Sequence, residues 1–130
     1  MLEKKQVIQL YSHAAVFCCP SIYEPFGIIN IEAMACNTAV VASAVGGIKE
    51  VVVHGETGIL VPVEQQTEAP FEPINPDKFA RDLAEGINTV INNPTLRNSM
   101  AQKGRKRVED YFDWISIAKQ TEELYKSLKK

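Results

Sequence analysis

The chain has 130 residues, enough for one domain with a modest core, and we treat residues 1–130 as a single unit. A hydrophobic content of 45% and a charged content of 23% are ordinary for a globular protein in water, and no apolar run is long enough to span a membrane. The net charge of −2 argues against a nucleic-acid-binding surface, because no basic excess is available to displace counterions from phosphates.

The first elements are a helix and a buried strand. Residues 3–13 have the pattern of a short amphipathic helix. Residues 15–19 form an unbroken apolar run, which is typical of a parallel strand buried on both faces, and Pro20 ends it. Residues 27–36 are apolar nearly all round, so we expect a buried helix. Burying Glu32 on that helix would be costly, so we also expect a polar group to meet it.

A second apolar run follows this helix directly. Asn37 is predicted to end the helix in the left-handed conformation, and residues 39–42 are predicted to form the next strand. The order strand, loop, helix, strand predicts a right-handed crossover in a parallel sheet. We therefore predict an α/β fold, a Rossmann-like parallel sheet with flanking helices. Ligands bind beyond the carboxyl ends of such strands, where residues 21–26 are placed, and the N–H groups that open the helix favour phosphate.

The remaining elements are a short helix at residues 48–53, a strand at residues 59–61 and a surface loop at residues 64–76. Three helices complete the chain, and the capping pattern places their starts at Asn75-Pro76, Pro94 and Asp113. The basic residues 103–107 are predicted to form a solvated face, with a phosphate contact as the open alternative. The last helix is expected to pack on the domain through Ile115, Ile117, Ala118, Leu124 and Leu128.

Three cysteines, Cys18, Cys19 and Cys36, fall on predicted core elements. Their odd number and apolar neighbours favour reduced thiols that pack as small hydrophobic side chains, and their spacing does not fit a metal site. The amino terminus lacks the apolar core of a secretion signal. These features predict a cytoplasmic protein without a bound metal.

Glu24 and Glu32 form a Glu-x7-Glu pair between Pro20-Ser21 and Gly46-Gly47. The whole pattern resembles the donor-binding core of retaining glycosyltransferases of family 4, which have the GT-B fold. The sequence Tyr-Glu-Pro-Phe-Gly is most similar to that of the glycogen synthase branch. The resemblance continues through residues 46–61, while Asn37 and Ala39 depart from the Gly and Pro that are usual there.

The resemblance implies a set of donor contacts. It implies that Glu24 contacts hydroxyls of the donor sugar and that Glu32 holds the ribose diol. The implied site has Glu24 as its catalytic residue and takes its substrate-binding residues from Glu24, Pro25, Phe26, Gly27, Ile28, Glu32, Gly46 and Gly47. It implies no cofactor beyond the donor substrate, and it leaves ADP-glucose and UDP-glucose equally open.

The implied function is transfer of a glucosyl group from a nucleotide sugar to a glucan acceptor, with retention. In the family, phosphate-neutralising Arg and Lys residues and an acceptor-binding domain precede this core, so we expect the chain by itself to be inactive. A strand with an unpaired neighbour position also predicts self-association. Two alternatives stay open: a non-catalytic nucleotide-sugar-binding module, and a sugar-nucleotide epimerase, which we would expect to lack the Glu-x7-Glu pair.

Overall fold

A computed structural model describes residues 2–129, and this part of the chain contains three strands and six helices. In chain order the elements are α1 (Lys4–His13), β1 (Phe17–Cys19), α2 (Ile28–Ala35), β2 (Val40–Ser43), α3 (Ile48–Val51), β3 (Gly58–Val61), α4 (Pro76–Asn92), α5 (Pro94–Tyr111) and α6 (Trp114–Leu128). Every predicted helix and strand is present, with ends shifted by one to three residues. The predicted α/β class is confirmed.

The three strands form one parallel sheet in the order β1-β2-β3. Phe17 pairs with Val40, and Val40 pairs in turn with Gly58. The crossover from β1 through α2 to β2 therefore has the predicted parallel arrangement. Within the described residues β1 pairs on one side only, with β2.

Apolar side chains bury both faces of this sheet. Val40 and Ala42 lie on one face with Met34 of α2 and Ile48 of α3, whereas Val41 lies on the opposite face with residues of α4 and α5. All four residues of β2 are buried, because helices cover both sides of the strand. Burial of each of its two valine side chains contributes about 1.5–3 kcal/mol, so β2 is the centre of the core.

Helix α2 is not buried all round, and that expectation was wrong. Ile28 is 61% exposed and Ile29 is 40% exposed, whereas the polar Asn30 is fully buried. The Asn30 amide donates to the Cys19 sulfur at 3.6 Å, and its carbonyl oxygen has no partner among the described residues. Glu32 is exposed. The apolar face at the start of α2 therefore stays open to solvent.

The predicted helix ends are confirmed. Asn75 caps α4 by accepting the Lys78 N–H at 3.0 Å, and Asn93 caps α5 in the same way from Leu96. Asp113 caps α6 by accepting the Ser116 N–H at 2.6 Å. Asn37 follows α2 with a φ of 61°, the left-handed conformation that asparagine tolerates.

One expectation about the C-terminal helices was wrong. Helix α6 contacts α5, but none of its residues is buried; Trp114 is 88% exposed and Leu128 is 69% exposed. Its apolar side chains therefore do not pack into the core. The basic stretch of α5 is exposed at Lys103, Arg105 and Lys106, as predicted. Two of its arginines also bind backbone: Arg105 donates to the Ala35 carbonyl, and Arg107 donates to the carbonyls of Glu50 and Val51. These arginines satisfy the carbonyl ends of α2 and α3, which lack intrahelical partners.

Candidate functional site

The loop of residues 21–27 connects β1 to α2 at the carboxyl end of the sheet, and we call it the Glu24 loop. The Glu24 carboxylate is half-buried and accepts the Gly27 N–H at 3.1 Å. Its side chain is therefore held at the start of α2, at the positive end of the helix dipole. Part of the carboxylate remains accessible for a ligand.

The start of α2 presents unpaired backbone donors. Gly27, with a φ of 98°, precedes the helix, and its carbonyl accepts the N–H groups of Asn30 and Ile31 at 2.9 and 3.4 Å. The N–H groups of Ile28 and Ile29 find no acceptor within residues 2–129. Two free donors at the positive end of a helix favour a phosphate or another anion.

Glu32 lies one turn further along α2 and faces α1. The Tyr11 hydroxyl lies 3.4 Å from the Glu32 Oε2 and can donate to it, so the expected polar partner is present although Glu32 is not buried. Burial raises the pKa of the Tyr11 phenol, and the Glu32 carboxylate raises it further. The phenol therefore stays protonated at neutral pH. Both residues line a cavity of about 620 Å³ between α1 and α2, with Lys4 and Arg105 at its edge.

The backbone of Gly46 and Gly47 packs directly against the backbone of the Glu24 loop. The Gly47 N–H donates to the Glu24 carbonyl at 3.1 Å. A Cβ atom on Gly46 would lie 1.9 Å from that carbonyl oxygen, and one on Gly47 would lie 2.5 Å from the Phe26 Cα. Only glycine permits this approach of the two backbones. Their predicted contact with the donor stays a prediction, but their contact with the Glu24 loop is present.

Pro25 and Phe26 lie on the surface at the tip of the loop. Phe26 is 41% exposed, and its ring meets Phe112 edge to face at 6.3 Å. The Arg107 guanidinium lies 5.6 Å from the Phe112 ring. Sequence reasoning missed this support because Phe112 and Arg107 lie 80 or more residues from the loop and carry no local motif. Glu24, Pro25, Phe26 and Gly27 are thus brought together with Gly46 and Gly47.

The chemistry available here is that of carboxylates, a phenol and backbone donors. No group of three or more His, Cys, Asp or Glu side chains suited to a metal ion is found within residues 2–129. Among the same residues, no helix is long and apolar enough to cross a membrane. The site suits a ligand with an anionic centre and hydroxyl groups beside it.

Comparison with known proteins identifies the family. Residues 1–72 match the model of the family described as glycosyl transferases group 1. The chain belongs to this family. The predicted membership of a glycosyltransferase family is therefore confirmed.

Curated relatives of this group 1 glycosyltransferase chain are longer proteins. The chain is 44% identical over 128 residues to α-maltose-1-phosphate synthase of Mycolicibacterium smegmatis. This match covers 98% of the chain and 31% of the synthase. The chain is 30% identical over 129 residues to glycogen synthase of Mycobacterium tuberculosis, covering 99% of the chain and 28% of that protein. The likeness to glycogen synthase is confirmed, but the maltose-1-phosphate synthase shares more residues. The chain spans less than a third of either relative.

Solved structures of glycosyltransferases share the fold. Sucrose-phosphate synthase of Thermosynechococcus elongatus aligns over 98% of this chain and 29% of its own, with a TM-score of 0.78 and 39% identity. Anabaena HepE in complex with UDP-glucose aligns over 94% of this chain and 30% of its own, with a TM-score of 0.70 and 28% identity. The group 1 chain is therefore an α/β unit with a three-stranded parallel sheet, and it matches part of these glycosyltransferases, as predicted.

Proposed function

We propose that residues 1–130 are the donor-binding part of a retaining glycosyltransferase that moves a glucosyl group from ADP-glucose or UDP-glucose to a glucan. The observation that carries the proposal is the juxtaposition at the start of α2. There the Glu24 carboxylate lies beside two free backbone donors, and Glu32 follows one turn later. The two backbone N–H groups suit the diphosphate of the nucleotide sugar. Glu24 suits the sugar hydroxyls, and Glu32 suits the ribose diol.

The comparisons support a nucleotide-sugar donor. The solved complex of HepE contains UDP-glucose, and its fold matches 94% of this chain. During transfer of the sugar a nucleoside diphosphate leaves, and negative charge develops on it. Backbone N–H groups at a helix start stabilise that charge. The start of α2 is the part of the chain suited to that task.

The relative with 44% identity favours a second acceptor. Its name says that it makes a phosphorylated disaccharide, whereas a glucan is the acceptor implied by the likeness to glycogen synthase. Transfer of a glucosyl group to glucose 1-phosphate would form such a disaccharide. The same donor site serves both reactions, because neither acceptor need contact the start of α2.

An activity assay tests the proposal. A full-length protein that carries this chain is incubated with ADP-glucose or UDP-glucose and either glycogen or glucose 1-phosphate. We expect product with one acceptor and an α linkage by NMR. The purified 130-residue chain should bind donor without transferring sugar, because one site cannot orient two substrates. Donor binding by the full-length protein without any transfer would instead support the non-catalytic module, and binding of neither donor would contradict both.

Replacing Glu32 by alanine tests the ribose contact. Hydrogen bonds to a charged group contribute about 1.5–3 kcal/mol, so Glu32→Ala should weaken donor binding about tenfold or more. Titration calorimetry with the nucleotide sugar measures the effect. Glu56→Ala is the control, because Glu56 is also exposed but lies in the turn before β3 and not on α2. Equal affinities of wild type and Glu32→Ala would contradict the assignment.

The free edge of β1 carries a further proposal about assembly. Because β1 pairs only with β2 among the described residues, its other edge exposes backbone donors and acceptors. Such an edge pairs with another strand, either from the rest of a longer protein or from a second copy. Concentration-dependent sedimentation of the purified chain distinguishes self-association from a stable monomer.

A further inference from the structure

The segment of residues 64–74 folds onto the Glu24 loop, and we call it the clasp. Its two halves form a short antiparallel pair: the Gln66 N–H donates to the Glu72 carbonyl at 3.0 Å, and the Ile74 N–H donates to the Glu64 carbonyl at 2.8 Å. Gln65 and Pro73 face each other within this pair. The clasp is therefore a surface loop, as predicted, and its two halves are joined by backbone hydrogen bonds.

Gln65 joins the clasp to the Glu24 loop. Its side-chain nitrogen donates to the Ile22 carbonyl at 2.5 Å and to the Phe71 carbonyl at 2.8 Å. Both protons of one amide group are thus used to hold two segments that are far apart in sequence. The Ile22 carbonyl lies two residues before Glu24, so this bond fixes the backbone that leads into the carboxylate.

Tyr23 and Phe71 make the second connection. Their rings stack with centroids 5.8 Å apart and planes inclined by 13°. Phe71 has a φ of 62°, a left-handed conformation that is unfavourable for a residue with a Cβ. Such residues persist where surrounding contacts hold them, and they occur preferentially at functional sites. The backbone of Phe71 is held by Gln65 and its ring by Tyr23.

We propose that Gln65 and Phe71 are positioning residues for Glu24. They hold Ile22 and Tyr23 so that the Glu24 carboxylate stays at the start of α2, where it meets the transferred sugar. The proposal deepens the proposed function and rests on it for the role of Glu24. Among the described residues the clasp makes no hydrogen bond to Glu32, which pairs with Tyr11 instead, so we expect its effect on the sugar and not on the nucleoside.

Binding measurements on the purified chain separate these two effects. Calorimetry compares ADP-glucose with ADP and UDP-glucose with UDP, for wild type and Gln65→Ala. Loss of the two hydrogen bonds should weaken binding of the nucleotide sugar about fivefold to tenfold and binding of the bare diphosphate less than about twofold. Gln66→Ala is the matched control, because the Gln66 side chain is exposed and only its backbone bonds within the clasp. An equal loss for both ligands, or the same loss in Gln66→Ala, would overturn the proposal.

Hydrogen exchange gives a ligand-independent readout. In Gln65→Ala and Phe71→Ala, the Gly27 amide, which donates to the Glu24 carboxylate, and the Gly47 amide, which donates to the Glu24 carbonyl, should exchange at least about fivefold faster while those of β2 are unchanged. Phe71→Tyr keeps the stacked ring and should restore slow exchange. Unchanged exchange in Gln65→Ala would overturn the positioning role even if the wild-type chain bound no donor, whereas failure of wild type to bind any nucleotide sugar would count against the proposed function.

Discussion

Gly47→Ala is expected to destabilise the domain by about 3 kcal/mol and to lower its melting temperature by about 10 °C. A Cβ atom at this position would lie 2.5 Å from both the Phe26 Cα and the Pro25 carbonyl oxygen. These are backbone atoms and cannot rotate away. Either the Glu24 loop moves or the turn before α3 moves, and the Gly47 N–H then loses its bond to the Glu24 carbonyl. Urea unfolding followed by circular dichroism measures the loss.

Gly55→Ala is the control for this prediction. Gly55 has a φ of 78°, so alanine is strained there, but nothing lies within 4 Å of its added Cβ. The left-handed conformation alone costs about 1 kcal/mol. A stability loss for Gly47→Ala no larger than that for Gly55→Ala would show that the two backbones can separate at little cost. The Gly pair would then not be what holds the Glu24 loop.

Glu24→Gln is expected to lower turnover of a full-length enzyme carrying this chain about a hundredfold, because a misplaced sugar loses its reactive geometry. Gln keeps an oxygen that can accept the Gly27 N–H, so the loop keeps its conformation. The amide nitrogen, however, cannot accept from sugar hydroxyls. Affinity for the bare nucleoside diphosphate should change less than about twofold, because the proposed role of Glu24 is to contact the sugar and not the diphosphate.

Steady-state kinetics and calorimetry together decide the role of Glu24. The melting temperature of Glu24→Gln serves as the folding control and should match wild type. A loss of diphosphate affinity as large as the loss of turnover would mean that Glu24 binds the nucleotide and not the sugar. If Glu24→Gln turned over as fast as wild type, Glu24 would not be a catalytic residue.

The local elements were predictable from the sequence because their causes are local. Apolar runs of strand length, the polar breaks between them and the cap residues Asn75, Asn93 and Asp113 act over a few positions. The parallel crossover followed from the order of elements. The Glu-x7-Glu pair pointed to the site because the loop and the helix start that carry it are adjacent in the chain.

Tertiary structure alone decided which surfaces meet. An apolar pattern does not specify which other elements will cover it. The exposure of the start of α2 and of the apolar face of α6 could therefore not be predicted from the sequence. Arg107 and Gln65 looked like surface residues, yet each donates to backbone carbonyls that are 43 or more residues away in the chain. Such contacts depend on how helices and loops pack around the sheet. The sequence by itself determined the glutamates and the elements that carry them, and only packing decided what holds the Glu24 loop in place.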